Sequence, residues 1–149
     1  MTRINLLQDA PAAYQAMRGL ETYLQGTQLS KTEIELIKLR ASQLNACAYC
    51  LNMHTRDALK NGETMQRISV LPAWRESQLF TPSERALLDL TESVTLIHQG
   101  GVSDAVYQEA ENQFGAEKLA QIIMGIVTIN AWNRIAITSQ IPVGPESFE

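Results

Sequence analysis

The chain of 149 residues has no run of lysine or arginine, only two cysteines, and no apolar stretch long enough to span a bilayer. The first absence, with a net charge of −4, argues against nucleic acid and anionic membranes as partners, because neutralising phosphate needs a basic surface. Two cysteines in one short segment, Cys47 and Cys50, cannot staple a secreted scaffold; they suggest redox chemistry or metal binding. The longest uncharged stretch, 119–133, includes Gln121, Thr128, Asn130 and Asn133. It falls short of the ~20 mostly apolar residues of a membrane helix and reads as a buried helix. The first nine residues hold no apolar signal-peptide region and no small-residue cleavage site, so a cytoplasmic location is expected. Eight glycines and five prolines are too few for a collagen-like or low-complexity chain. No long alternation of apolar and polar residues bounded by turn signals occurs, so a sheet has little support.

What is present points to helices. A 45% hydrophobic and 19% charged composition over this length fits a single domain, 1–149, with one core. Ser30-Lys31-Thr32-Glu33 and Thr81-Pro82-Ser83-Glu84 both have the form of a capping box, the second with proline where its missing N–H does no harm. Gly62, Gly100-Gly101 and Gly115 read as helix stops. Between these signals, Ile34, Ile37, Ala41, Leu44 and Ala48 recur at helical spacing, as do Ala86, Leu87, Leu90, Val94 and Ile97. Helices are expected over 10–25, 30–45, 47–61, 64–70, 82–99, 103–114 and 116–140, giving an all-α domain. The last one is apolar on every face from Leu119 to Trp132. Such a helix is buried, and part of the cover is expected from a second copy, with Ile123 and Ile126 facing outward. His98, just before Gly100, suits a helix C-terminus, and Trp74 and Trp132 suit packing.

The chemistry-bearing segment runs from Glu35 to His54. It contains Cys47-Ala48-Tyr49-Cys50, with Glu35 twelve residues before the first cysteine and His54 four after the second. In one unbroken helix Glu35 and Cys47 would lie about 18 Å apart and could not cooperate. Asn45 tolerates the left-handed conformation that ends helices. A turn near Asn45-Ala46 makes two antiparallel helices and brings Glu35 beside His54. Cys47, Cys50 and His54 then form an i, i+3, i+7 stripe on the second helix. Cysteines in a first helical turn meet the positive end of the helix dipole, which favours the thiolate. A histidine held by a glutamate can take the thiol proton and return it to a leaving oxygen. In a regular helix the two Cβ atoms would be about 5–6 Å apart, beyond the ~3.8 Å of a disulfide. A disulfide there needs local distortion and is more plausible as a recycled catalytic bond than as a structural one. Two rivals stand beside this reading. Zinc on Cys47, Cys50 and His54 lacks a fourth protein ligand, and two buried cysteines can be inert packing residues. A thioredoxin-like fold is disfavoured because no βαβ pattern surrounds the motif.

With its Glu35, Cys47-x-Tyr49-Cys50 and His54 spacing, and with the segment Asn130-Ala131-Trp132-Asn133-Arg134-Ile135-Ala136, the chain resembles the carboxymuconolactone decarboxylase/alkylhydroperoxidase D superfamily. The resemblance spans about residues 15–140. It implies an AhpD-like all-α fold assembled as a homotrimer or homohexamer, with no bound cofactor and no metal. It also implies reduction of a small hydroperoxide, or of a disulfide, with electrons from a thiol or dithiol reductant. Cys50 would be the attacking thiol, Cys47 the more exposed resolving one, and His54 with Glu35 the proton relay. The best-known pattern has histidine just before the second cysteine, where this chain has Tyr49. Tyrosine can hydrogen-bond a peroxide oxygen but is a poor base near neutrality, so the relay falls to His54. The superfamily's decarboxylases lack the cysteine pair. A decarboxylase-type reaction on Glu35 and His54 is therefore the second expectation, and a thiol sensor without turnover the third.

Overall fold

A computed structural model describes residues 3–145; the first two and last four residues of the expected 1–149 domain lie outside the described residues. The described chain is all-helical, with no strand. The helices are α1 (Leu6–Asp9), α2 (Pro11–Gln25), α3 (Lys31–Leu44), α4 (Ala48–Lys60), α5 (Met65–Val70), α6 (Pro82–Thr95) and α7 (Asp104–Ser139), with 3-10 turns at Leu71–Ala73 and Ile97–Gln99.

Local chemistry sets the helix starts. Ser30 Oγ accepts from the Glu33 amide at 3.1 Å while Glu33 Oε2 accepts from the Ser30 amide at 2.8 Å, starting α3. Thr81 and Glu84 make the same reciprocal pair at 3.2 and 2.8 Å, starting α6 behind Pro82. Two orphan N–H groups are satisfied at each end, which stabilises each helix by about 1 kcal/mol. Gly62, Gly100, Gly101 and Gly115 all take positive φ, as stop signals should. At Gly115 the backbone leaves the helical region (φ 72°, ψ 163°) and the helix then resumes, so the two expected helices form one kinked α7. The expected helix 82–99 ends earlier, at Thr95, and its last residues form the separate 3-10 turn that carries the exposed His98.

Helix α3 is central and packs against α4, α6 and α7, while α6 packs along α7. Leu36, Ile37 and Leu39 of α3, Leu87, Leu88 and Leu90 of α6, and Leu119, Ile122, Ile126 and Ile129 of α7 form the buried core. Removing this apolar surface from water is the main favourable term in folding. Ile126 is therefore not an outward residue: it is fully buried by the chain's own helices, and Ile123 is half-buried. The exposed large apolar residues of α7 are Tyr107, Val127 and Ile137. Helix α2 buries only Leu24. It lies along α7, where the Tyr14 and Trp132 rings meet edge to face at 5.9 Å.

Candidate active site

Helices α3 and α4 are joined by a tight turn at Asn45, Ala46 and Cys47. The left-handed residue is Ala46 (φ 55°), whereas Asn45 stays right-handed (φ −84°). Asn45 instead anchors the turn through its side chain. Its Nδ2 donates to Asn130 Oδ1 and Asn133 Oδ1 of α7, both at 2.9 Å. Asn133 Nδ2 donates to Ser42 Oγ and Asn130 Nδ2 to Thr95 Oγ1, each at 3.0 Å. Sequence reasoning used Asn45 only as a helix break and Asn130 and Asn133 only as part of the family-like segment, and did not anticipate that their amides meet. The available signal is asparagine at two positions of the mostly apolar stretch 119–133, because a buried amide needs partners.

The turn sets the cysteine geometry. Cys47 is the extended N-cap residue of α4 (φ −87°, ψ 96°), not a residue of its first turn, and its sulfur accepts from the Cys50 amide at 3.4 Å. The expected stripe of Cys47, Cys50 and His54 on one helix therefore begins one residue outside it. Leaving the helix at Cys47 brings the two side chains together, and Cys47 and Cys50 form a disulfide with Cα atoms 5.4 Å apart. Both are buried, at 1% and 2% exposure. Cys50 lines the neighbouring cavity and Cys47 does not, so Cys47 is not the more exposed of the pair.

The antiparallel pairing brings Glu35 to His54. Glu35 Oε2 and His54 Nδ1 lie 3.0 Å apart, both groups buried. A carboxylate accepting from Nδ1–H leaves the lone pair on Nε2, the nitrogen free to exchange a proton with a ligand. Cys50 and His54 are i, i+4 neighbours on α4 and line the same cavity as Glu35. Asp57, one turn beyond His54, was not anticipated from sequence. The donor atoms of Glu35, His54 and Asp57 all lie within 4.8 Å of one another. One nitrogen and two carboxylates suit a proton relay and could also hold a divalent cation. Tyr49 is exposed at the cavity wall. The cavity measures about 710 Å³ and is bounded by α2, α3, α4 and the end of α7, where Trp132 is part of its lining. Its size falls within the usual range for a small-molecule site.

The model of the carboxymuconolactone decarboxylase family matches residues 8–93. The chain belongs to this family. It is 41% identical over 135 residues to the uncharacterised protein YdfG of Bacillus subtilis, a match covering 91% of this chain and 92% of that one. It is also similar to a crystal structure from Agrobacterium tumefaciens, at 38% identity and a TM-score of 0.94, covering 98% of this chain and 100% of that one. That protein is described as of unknown function, with a suggested role in antioxidant defence as an AhpD. The AhpD-like fold is thus shared along nearly the whole chain, and the matched family region contains the glutamate, both cysteines and the histidine.

Proposed function

We propose that this protein is a thiol-dependent hydroperoxide reductase. The observation that carries the reading is that Cys50, the cavity-facing member of a Cys47–Cys50 disulfide, shares that cavity with the buried Glu35–His54 pair. In the reduced protein, His54 Nε2 takes the Cys50 thiol proton. The thiolate attacks the outer oxygen of the hydroperoxide; an S–O bond forms, the O–O bond breaks, and the alkoxide leaves as an alcohol with the proton from His54. The resulting Cys50 sulfenic acid condenses with the Cys47 thiol and releases water, giving the disulfide. A dithiol donor restores both thiols by exchange. Glu35 holds the imidazole in the tautomer the relay needs, and Tyr49, on the cavity wall, hydrogen-bonds the substrate. The cycle uses no metal or bound cofactor.

The test is consumption of an organic hydroperoxide with dithiothreitol as donor. Cys50→Ser is expected to abolish it. In Cys47→Ser a sulfenic acid on Cys50 should persist and be trappable by dimedone. Turnover surviving Cys50→Ser would overturn the reading. It would favour a decarboxylase-type reaction, for which the Glu35, His54 and Asp57 cluster supplies acid–base groups without any sulfur.

A further inference from the structure

The cavity holds a cation that the relay does not use. Lys38 follows Glu35 by three residues on α3, about 4.5 Å further along the helix axis, and lines the same cavity. It is more than nine-tenths buried, at 6% exposure. Among the described residues its ammonium has one partner, Glu21 Oε2 of α2, at 2.6 Å. An ammonium offers three donors, so two remain for another acceptor. Burying a lysine–glutamate pair carries a large desolvation penalty, and apolar residues of similar size often stabilise a fold as well or better. Stability alone is thus a weak reason for a charged pair here.

The surroundings suggest the use. Glu21 sits on the helix whose only buried residue is Leu24, so its carboxylate can turn toward water at small expense to packing. Arg18, an exposed residue one turn earlier on α2, also borders the cavity. The acidic groups Glu35 and Asp57 are gathered with His54, leaving Lys38 as the buried cation. Between the charged groups the wall is apolar, with Leu24, Ile34, Met53, Trp132 and Ile135.

We infer that Lys38 is the anion anchor of the cavity, and that the substrate is an organic acid with an apolar body whose carboxylate takes the place of Glu21 on Lys38. Exchanging one carboxylate for another keeps the buried ammonium paired throughout. The apolar body then supplies the binding free energy by leaving water. The identity of the reacting group as a hydroperoxide rests on the proposed function; the carboxylate anchor does not.

Calorimetric titration of the oxidised protein with octanoate and with octanamide, its neutral counterpart, separates the two claims. Octanoate is expected to bind about 10- to 100-fold more tightly, the range for a hydrogen bond to a charged group. Glu21→Gln should tighten octanoate further by removing its competitor. Lys38→Met should abolish the preference for the acid. The double variant Lys38→Met/Glu21→Gln, which strands no buried carboxylate, should abolish it equally. Equal affinity of the wild-type protein for the acid and the amide, or a preference retained in the double variant, overturns the anchor. A protein that binds octanoate through Lys38 yet consumes no hydroperoxide overturns the peroxidase reading and leaves the anchor standing.

Discussion

At the residue scale, the site depends on backbone conformations that its side chains do not favour. Ala46 is left-handed at φ 55°, a conformation that disfavours a residue with a Cβ by roughly 1–2 kcal/mol. Glycine there would relieve that strain but lose about 0.4–1 kcal/mol through the freer unfolded chain. Ala46→Gly is therefore expected to stabilise the protein by up to about 1 kcal/mol, seen as a small rise in the chemical denaturation midpoint at unchanged slope. Cys47 illustrates the same dependence. Its extended conformation at the N-cap lets it meet Cys50, where helical spacing alone would hold the two apart. His54, two turns into α4, is fixed by Glu35. His54→Ala should flatten the pH dependence of Cys50 alkylation in the reduced protein, and an unchanged profile would remove His54 from the relay.

At the scale of elements, polar clusters lock the helices in place. Asn133 is fully buried and bridges α3 and α7 by accepting from Asn45 and donating to Ser42. Asn133→Leu would leave Ser42 without that donor and Asn45 with one acceptor fewer. A loss of about 2–3 kcal/mol is expected by urea unfolding, from unsatisfied buried groups. A different cluster holds α6. Glu92 accepts from Arg40 at 2.8 Å and from Trp74 Nε1 at 2.7 Å on one oxygen, and from Arg75 at 2.6 Å on the other. Burial, the largest single influence, pushes its carboxyl up, but the bonds from Trp74 and Arg40 and the nearby positive charges together bring it below the ordinary value. Glu84 behaves alike: burial raises it, and the bidentate Arg67 with the Thr81 amide lowers it further than burial lifts it. A carboxyl lowered in the folded state stabilises the protein above its unfolded pKa, and that contribution is lost as pH falls through the folded value. Stability should therefore be level near neutrality and decline below about pH 4.5, the ordinary value of these groups. Thermal melts from pH 7 to pH 3 check this, and Glu92→Gln should make the decline shallower.

For the whole molecule, the arrangement of α7 bears on assembly. One face, with Leu119, Ile122, Ile126 and Ile129, is buried by α3 and α6, while Val127 and Ile137 are exposed. Helix α2 likewise leaves Tyr23 exposed and buries only Leu24. Apolar side chains left on a helix that already supplies the core are natural material for a symmetric contact between copies. We expect a trimer or hexamer in solution at micromolar concentration. Val127→Asp should shift it toward the 16.6 kDa monomer in sedimentation velocity. Wild-type protein sedimenting as a monomer would overturn the expectation.

Sequence alone determined what depends on neighbours a few residues apart. The two capping boxes, the glycine stops and the helical repeat of α3 and α6 are local signals, and the helices begin where those signals lie. The pairing of Glu35 with His54 was legible for a related reason: one break between two helices of similar length leaves few ways to bring the residues together. The tertiary structure decided what depends on contacts distant in sequence. Placing the left-handed residue at Ala46 rather than Asn45 follows from the amides of Asn130 and Asn133, 85 and 88 residues away, which engage the Asn45 side chain. Which face of α7 is buried was equally illegible, because a helix apolar all round carries no periodic signal of its orientation. The cavity, the burial of Lys38 and its pairing with Glu21 arise only when α2, packed along α7, brings Glu21 to α3. No local pattern records that placement, because it is fixed by packing between helices rather than by the residues of any one of them.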